Sequence, residues 1–293
     1  MKGQNGKEEK YYEAVFSVPR AIHEPICDFI IDNYSKGVIL EEEEDSPEVG
    51  IRFYVPYSRG LSFKEELSRY IGRADSHGGF SPDMIRTKVI ANVEWEQAYK
   101  DSIKPIRVED VIIKPPWEKG QFTSRIEIII EPKMAFGTGS HETTQLCIKE
   151  ILKHFKAGQT MFDLGCGSGI LSILAAKLGA ERVTGVDIDL VAVQNSGENI
   201  VINGVDEKVK IQFGSIEKAA GEKFDFFAAN LIKSTIIELM AAMLEAVRPG
   251  GILLLSGLLL QDKPAMSELL SQFHLEKTEI NQDGQWLAYT IHL

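Results

Sequence analysis

The chain has 293 residues, 44% of them apolar, with a formal net charge of −11 and a pI near 5.2. That length allows one large domain or two smaller ones, no apolar run approaches the ~18 residues that span a bilayer, and the acidic balance opposes long-range attraction to nucleic acid while favouring basic partners. The polar N-terminus MKGQNGKEEK lacks the apolar core of a secretion signal, and Cys27, Cys147 and Cys166 show neither metal-ligand spacing nor a disulfide framework; the expectation is a reducing cytoplasm, with no membrane span and no metal site.

From about 11 to 91 the expected order is strand, helix, strand, strand, helix, strand. YYEAVFSV alternates as a half-buried strand does. ICDFIIDNY carries apolar residues at helical spacing, with Gly37 as the stop. EEEED at 41–45 reads as a solvated turn. VGIRFYVPY is strand-like, FKEELSRYI helical and MIRTKVIANV strand-like. This βαββαβ order is the ferredoxin-like plan. It predicts a smaller α+β domain over 1–92 whose work is substrate recognition.

A connector, 93–106, follows; Trp95 and Tyr99 share one face of a short helix that Pro105 ends. Strands are expected at 107–113 and 125–130 around KPPWEKG, with Trp95 and Trp117 as packing residues. MAFGTGSHETT, 134–144, is a second glycine loop, suited to fold over a ligand as a lid. Ser140 or Thr143 caps the helix TTQLCIKEILKHF that it opens.

From about 159 strands and helices alternate. Strands at 160–164, 182–186, 208–213, 224–229 and 251–256 are separated by helices at 169–179, 190–202 and 234–247. A helix at 262–271 and strands at 274–281 and 286–292 close the chain. The alternation predicts an α/β domain, 107–293, with a doubly wound, mostly parallel sheet. Ligands of such sheets sit at the carboxyl ends of the strands, where strand order reverses.

FDLGCGSGI, 162–170, stands at that place. No lysine follows its glycines before Lys177, which excludes the phosphate-binding G-x-x-x-x-G-K-[ST] loop. Gly165, Gly167 and Gly169 are spaced G-x-G-x-G, unlike the G-x-G-x-x-G of dinucleotide folds. Asp163 puts a carboxylate beside the turn. It suits the ammonium and sulfonium of S-adenosylmethionine and would sit badly against a pyrophosphate. RVTGVDID ends in Asp187, 22 positions after Gly165, where an acid accepts both ribose hydroxyls. Asp189 is the expected N-cap of the next helix.

KFDFFAANLIK ends in Asn230, at the carboxyl end of the fourth strand. Methyl transfer to an amine is an in-line displacement on the sulfonium carbon, with a neutral nucleophile held at about 3–3.5 Å. An amide carbonyl orients that amine and tolerates its developing charge. The alternative for Asn230 is a helix cap. Asn-Leu-Ile-Lys also lacks the aromatic with which Asn-Pro-Pro-Tyr methylases stack an extruded base, so direct nucleic-acid readout is not expected.

AFGTGSHETT, FDLGCGSGILSILAAKLGA, GVDIDLVAVQNSGENIVINGV and ANLIKSTIIEL together resemble the PrmA family, the methyltransferases of large-subunit ribosomal protein 11. The resemblance is strong from about 93 to 257; over 1–92 mainly the order of elements matches. It implies a class I, Rossmann-like methyltransferase domain behind a substrate-reading domain. It also implies transfer of methyl groups from S-adenosylmethionine to lysine side chains and an N-terminal amine of a ribosomal protein. Thr144, Gly165, Asp187 and Asn230 would contact the cofactor, with Asn230 nearest the amine. Glu142 stands where the family often has proline, and Lys233 where it often has alanine. A different protein or a small molecule as methyl acceptor, a non-catalytic binding module and a nicotinamide enzyme are the alternatives.

Overall fold

The computed structural model describes residues 10–35, 37–41, 46–74, 80–91, 100–101, 103–132, 137–275 and 277–293. Most of EEEED, Trp95 and Tyr99 of the expected connector, and 134–136 of the second glycine loop lie outside the described residues. The chain divides into two compact units, Met1–Ile103 and Lys104–Leu293.

The first unit runs β1 (Lys10–Pro19), α1 (His23–Asn33), β2 (Val38–Glu41), β3 (Glu48–Pro56), α2 (Phe63–Ala74) and β4 (Arg86–Ala91). Its antiparallel sheet has the order β2-β3-β1-β4, the ferredoxin-like arrangement. Alternation sends Ala14, Phe16 and Val18 of β1 and Ile51, Phe53 and Val55 of β3 inward. There they meet Ile26 and Ile30 of α1 and Phe63, Leu67 and Ile71 of α2, residues four apart on their helices. Phe53 meets the rings of Phe16 and Phe63 edge-on, with centroids 6.2 and 5.8 Å away.

The second unit opens with β5 (Ile106–Val108), β6 (Val111–Lys114) and β7 (Ile126–Ile129), a small sheet of its own. The single strand expected at 107–113 is in fact a hairpin. Glu109 takes a φ of 49° and reverses the chain, and the Asp110 carbonyl accepts the amides of Arg125 and Ile126. After α3 (Glu142–His154) come β8 (Thr160–Leu164), α4 (Ile170–Lys177), β9 (Arg182–Asp187), α5 (Leu190–Ile202), β10 (Val209–Phe213), β11 (Phe224–Asn230) and α6 (Lys233–Ala246). β12 (Val247–Leu259), α7 (Lys263–Gln272), β13 (Thr278–Asp283) and β14 (Trp286–His292) complete it.

The main sheet has the order β10-β9-β8-β11-β12-β14-β13, with β14 alone reversed against the six other strands. Both faces are buried, which is why the central strands are almost wholly apolar. Met161, Phe226, Ala228 and Leu254 pack with α3 and α4 on one face. Phe162, Leu164, Phe227, Ala229 and Leu255 pack with α6 and α7 on the other. No helix among the described residues is long and apolar enough to cross a membrane.

Candidate active site

From β8 the chain winds outward to β9 and β10, then returns to place β11 on the other side of β8. The carboxyl ends of β8 and β11 therefore flank the switch point where open α/β sheets bind ligands. β8 ends in the glycine turn and β11 ends in Asn230.

Gly165 begins the turn with φ at 74°, and a Cβ there would come within 2.5 Å of Leu231 Cδ2. Backbone conformation and space both require glycine. The amides of Gly165 and Cys166 both donate to the Val186 carbonyl at 2.9 Å, so the turn folds over the end of β9. The Gly167 amide donates to Asp187 Oδ2 at 2.9 Å, and Gly169 at the head of α4 has φ 81°. Cys166 lies within the turn, but burial pushes its thiol upward, so it is no ready nucleophile.

Asp187 holds two backbone amides. Its Oδ1 accepts the Asp189 amide at 3.0 Å, a local turn, while Oδ2 braces the glycine loop. Asp189 caps α5 through Val191 N–H at 2.8 Å, as expected. Ile188, Phe213 and Ile232, at the carboxyl ends of β9, β10 and β11, are 75, 53 and 69% exposed. Three large apolar side chains open to solvent along one sheet edge suit the flat faces of a nucleoside.

Asp163 is 1% exposed on the side of β8 that faces α4. Burial lifts its carboxyl to about 6, against a lowering by the Ser172 hydroxyl, which donates to Oδ2 at 2.6 Å; the nearby Asp187 charge adds a smaller upward push. A cation beside the turn reverses that upward shift. Thr144 Oγ1 and both amide atoms of Asn195 are buried without a hydrogen-bond partner among the described residues. Thr144 follows Thr143, which meets Asn230 at the ligand edge, and an orphaned hydroxyl there fits a polar cofactor.

Gly137 of the second glycine loop is fastened to this turn: Ser168 Oγ donates to the Gly137 carbonyl at 2.6 Å. The cap of α3 differs from expectation. His141 is the N-cap, and its Nδ1 accepts the Thr143 amide at 3.2 Å. Ser140 lies one residue before the cap, and Thr143 is held as N2 of the helix.

That backbone donor fixes the direction of the contacts beyond it. Nδ1 must be the lone-pair nitrogen, so the Thr143 hydroxyl proton points to it across 2.8 Å. Thr143 Oγ1 then has only lone pairs to offer Asn230, 3.2 Å away, and Asn230 turns its Nδ2 toward it. The amide oxygen of Asn230 faces the other way and takes no hydrogen bond among the described residues. Asn230 does not cap α6, whose N-cap is Ile232 with no side-chain cap bond. Thr143 and Ser172 were not foreseen as site residues. The motif names the loop, and only the fold shows which hydroxyl meets Asn230.

Sheet order, glycine turn and the two carboxylates define the class I, S-adenosylmethionine-dependent methyltransferase fold. The family of ribosomal protein L11 methyltransferase (PrmA) matches residues 10–293. The ribosomal protein L11 methyltransferase of Alkaliphilus metalliredigens is 34% identical over 259 residues, 87% of this chain and 81% of that protein. That of Clostridium perfringens (strain SM101 / Type A) is 39% identical over 195 residues, 66% of this chain; the match spans only 62% of the relative's length. A solved ribosomal protein L11 methylase from Lactobacillus delbrueckii subsp. bulgaricus is similar with a TM-score of 0.60 and 29% identity, over 64% of this chain and 98% of that one. The chain belongs to this family.

Proposed function

We propose that the protein transfers methyl groups from S-adenosylmethionine to amino groups of large-subunit ribosomal protein 11, its lysine side chains and an N-terminal amine, in the cytoplasm. The names of its relatives and the match over both units support the substrate. The net charge of −11 suits a basic protein partner. Residues 1–92 read the substrate, 93–106 connect, and 107–293 carry the chemistry.

When bound, the cofactor supplies an electrophilic methyl group on a sulfonium sulfur. Asp163 balances its positive end. Gly165, Gly167 and Gly169 let the backbone approach it, Asp187 accepts its ribose hydroxyls, and Thr144 Oγ1 and Asn230 give further polar contacts. Ser168 and Gly137 keep the second glycine loop against the turn.

The observation that carries the proposal is the fixed direction of the Asn230 amide. An amine nucleophile reaches the site only after losing its proton to solvent, because a lone pair must face the methyl carbon. Asn230 Oδ1 accepts one of its remaining N–H bonds and aims that lone pair. Charge builds on nitrogen as the bond forms, and the same oxygen strengthens its hold. Thr143, with His141 behind it, keeps the oxygen in place.

Labelled cofactor incubated with the full chain and undermethylated ribosomal proteins tests the proposal. Mass spectrometry should find the label on lysines of ribosomal protein 11. Label confined to another protein or to small molecules sinks the substrate assignment, and no label above a heat-killed control sinks the activity.

A further inference from the structure

The C-terminal end of α3 carries a second cluster of chemistry-bearing side chains, about 18 Å along the helix from Glu142. His154 comes from α3, Glu279 from β13 and His292 from the last turnings of β14. One ligand atom from each lies within 4.8 Å of the others. Glu279 Oε1 is 3.1 Å from His292 Nε2, and Glu279 Oε2 is 3.8 Å from His154 Nε2. His154 Nε2 is buried and has no hydrogen-bond partner among the described residues. A second carboxylate, Glu150, stands 3.5 Å from it, too far for a hydrogen bond.

We propose that His154, Glu279 and His292 form a binding site for a divalent transition metal, with Zn²⁺ as the best-matched ion. Tetrahedral zinc with bonds of about 2.0–2.2 Å separates its ligand atoms by roughly 3.3–3.5 Å. Glu279 faces His292 through Oε1 and His154 through Oε2, and the three ligand atoms lie within 4.8 Å of one another, so a modest inward shift of the side chains brings them to that spacing. Two imidazoles and one carboxylate are ligands suited to zinc, cobalt or nickel rather than to magnesium or calcium.

The surroundings agree with a metal. Glu150 is 4% exposed and already accepts Asn281 Nδ2 at 2.8 Å and Thr290 Oγ1 at 2.7 Å. It stays in place and supplies a second negative charge, so Glu150 and Glu279 together match the ion's two positive charges. Lys153 competes, with Nζ 2.5 Å from Glu279 Oε2, but its side chain is 53% exposed and free to swing into solvent. A cleft of about 490 Å³, lined by Glu150, Lys153 and Asn281 among others, opens beside Glu150. One coordination position is left for water.

Such an ion ties the edge strand β13 and the C-terminal strand to the helix whose other end forms the candidate active site. The three ligands are scattered over 139 positions, from 154 to 292, and make no sequence motif.

Titration of the tag-free, chelator-stripped full chain with Co²⁺ tests the site. One equivalent should bind and give the visible absorption of four-coordinate cobalt, and one equivalent of Zn²⁺ should abolish it. Zn²⁺ at a hundredfold excess over its Kd should raise Tm by about 5 °C. His292→Gln and Glu279→Gln should each weaken Co²⁺ binding at least about 100-fold while cofactor affinity, the control for a folded chain, is unchanged. Absence of one-to-one saturation in the wild-type chain overturns the proposal. So does cobalt binding that survives in both variants, since it then belongs to other histidines.

Discussion

The four-stranded sheet of the first unit and the carboxyl edge of the seven-stranded sheet treat their polar groups in opposite ways. In the first unit, Arg52 is held between Glu13 and Glu41, and the Tyr34 hydroxyl donates to Glu66 at 2.9 Å. Among its described residues only Ser68 has a buried side-chain atom without a partner. At the larger sheet's edge, the Thr144 hydroxyl is unpartnered among the described residues, and Asp163 is buried with one hydroxyl on it. Buried polar groups are left unpaired where something else completes them. The small sheet is a self-sufficient scaffold that offers its outer surface; the large one is incomplete without a ligand.

The most severe way to break that comparison acts on the scaffold. Phe53→Ala removes a fully buried ring that touches Phe16 and Phe63. Loss of such a ring costs about 3–5 kcal/mol. Denaturant unfolding should show an early transition, with cofactor affinity measured by calorimetry still at its wild-type value and protein methylation lost. Cofactor affinity that falls with the scaffold means the ligand edge is not self-contained.

Asp187→Ala strikes the other side. Two charge-assisted bonds, to Gly167 N and Asp189 N, disappear together with the expected ribose contact. Each such bond contributes about 1.5–3 kcal/mol, so cofactor affinity should fall at least about 100-fold. Undiminished affinity in calorimetry removes Asp187 from the cofactor site.

The same contrast explains what was legible in the sequence. Strands β8 to β11 and their helices lie within a residue or two of expectation, because continuous apolar runs and glycine punctuation are local signals. Asp163, the glycines, Asp187 and Asn230 could be named because each ends or follows a strand, and parallel topology sends those ends to one edge. The contact between Thr143 and Asn230 spans 87 positions and had no local signal. Neither did His154, Glu279 and His292. The hairpin at Glu109 was missed because a non-glycine residue takes the left-handed turn, where sequence reading looks for glycine or asparagine.

Asp163 gives a subtler test, through pH. Its carboxyl is raised from 3.8 to about 6, so the ligand-free native state holds this proton more tightly than the unfolded chain does. Its stabilising contribution is therefore full below the unfolded value and is lost as pH rises through about 6. Cofactor binding runs the other way, because a cation selects the ionised carboxylate. Affinity should be level above pH 7 and fall by about tenfold by pH 5, with protons released on binding near pH 6. Asp163→Asn should bind more weakly at pH 7.5 and lose the slope. A slope that survives in Asp163→Asn belongs to another group.

Thr143→Val is the mildest change and the most specific. Valine keeps the shape of a side chain that is 1% exposed, so α3 should keep its packing. What goes is the hydroxyl between His141 and Asn230. A neutral hydrogen bond of this kind is worth about 0.5–1.5 kcal/mol, and without it the Asn230 amide is free to present either end to the amine. Its effect belongs to orientation in the transition state, so kcat should fall by about 2- to 10-fold with cofactor Kd unchanged. Thr143→Ser, which restores a hydroxyl, should recover most of the rate. If valine and serine behave alike, the direction of the Asn230 amide is set by something other than Thr143. If valine weakens cofactor binding instead of turnover, Thr143 belongs with Thr144 among the groups the cofactor completes.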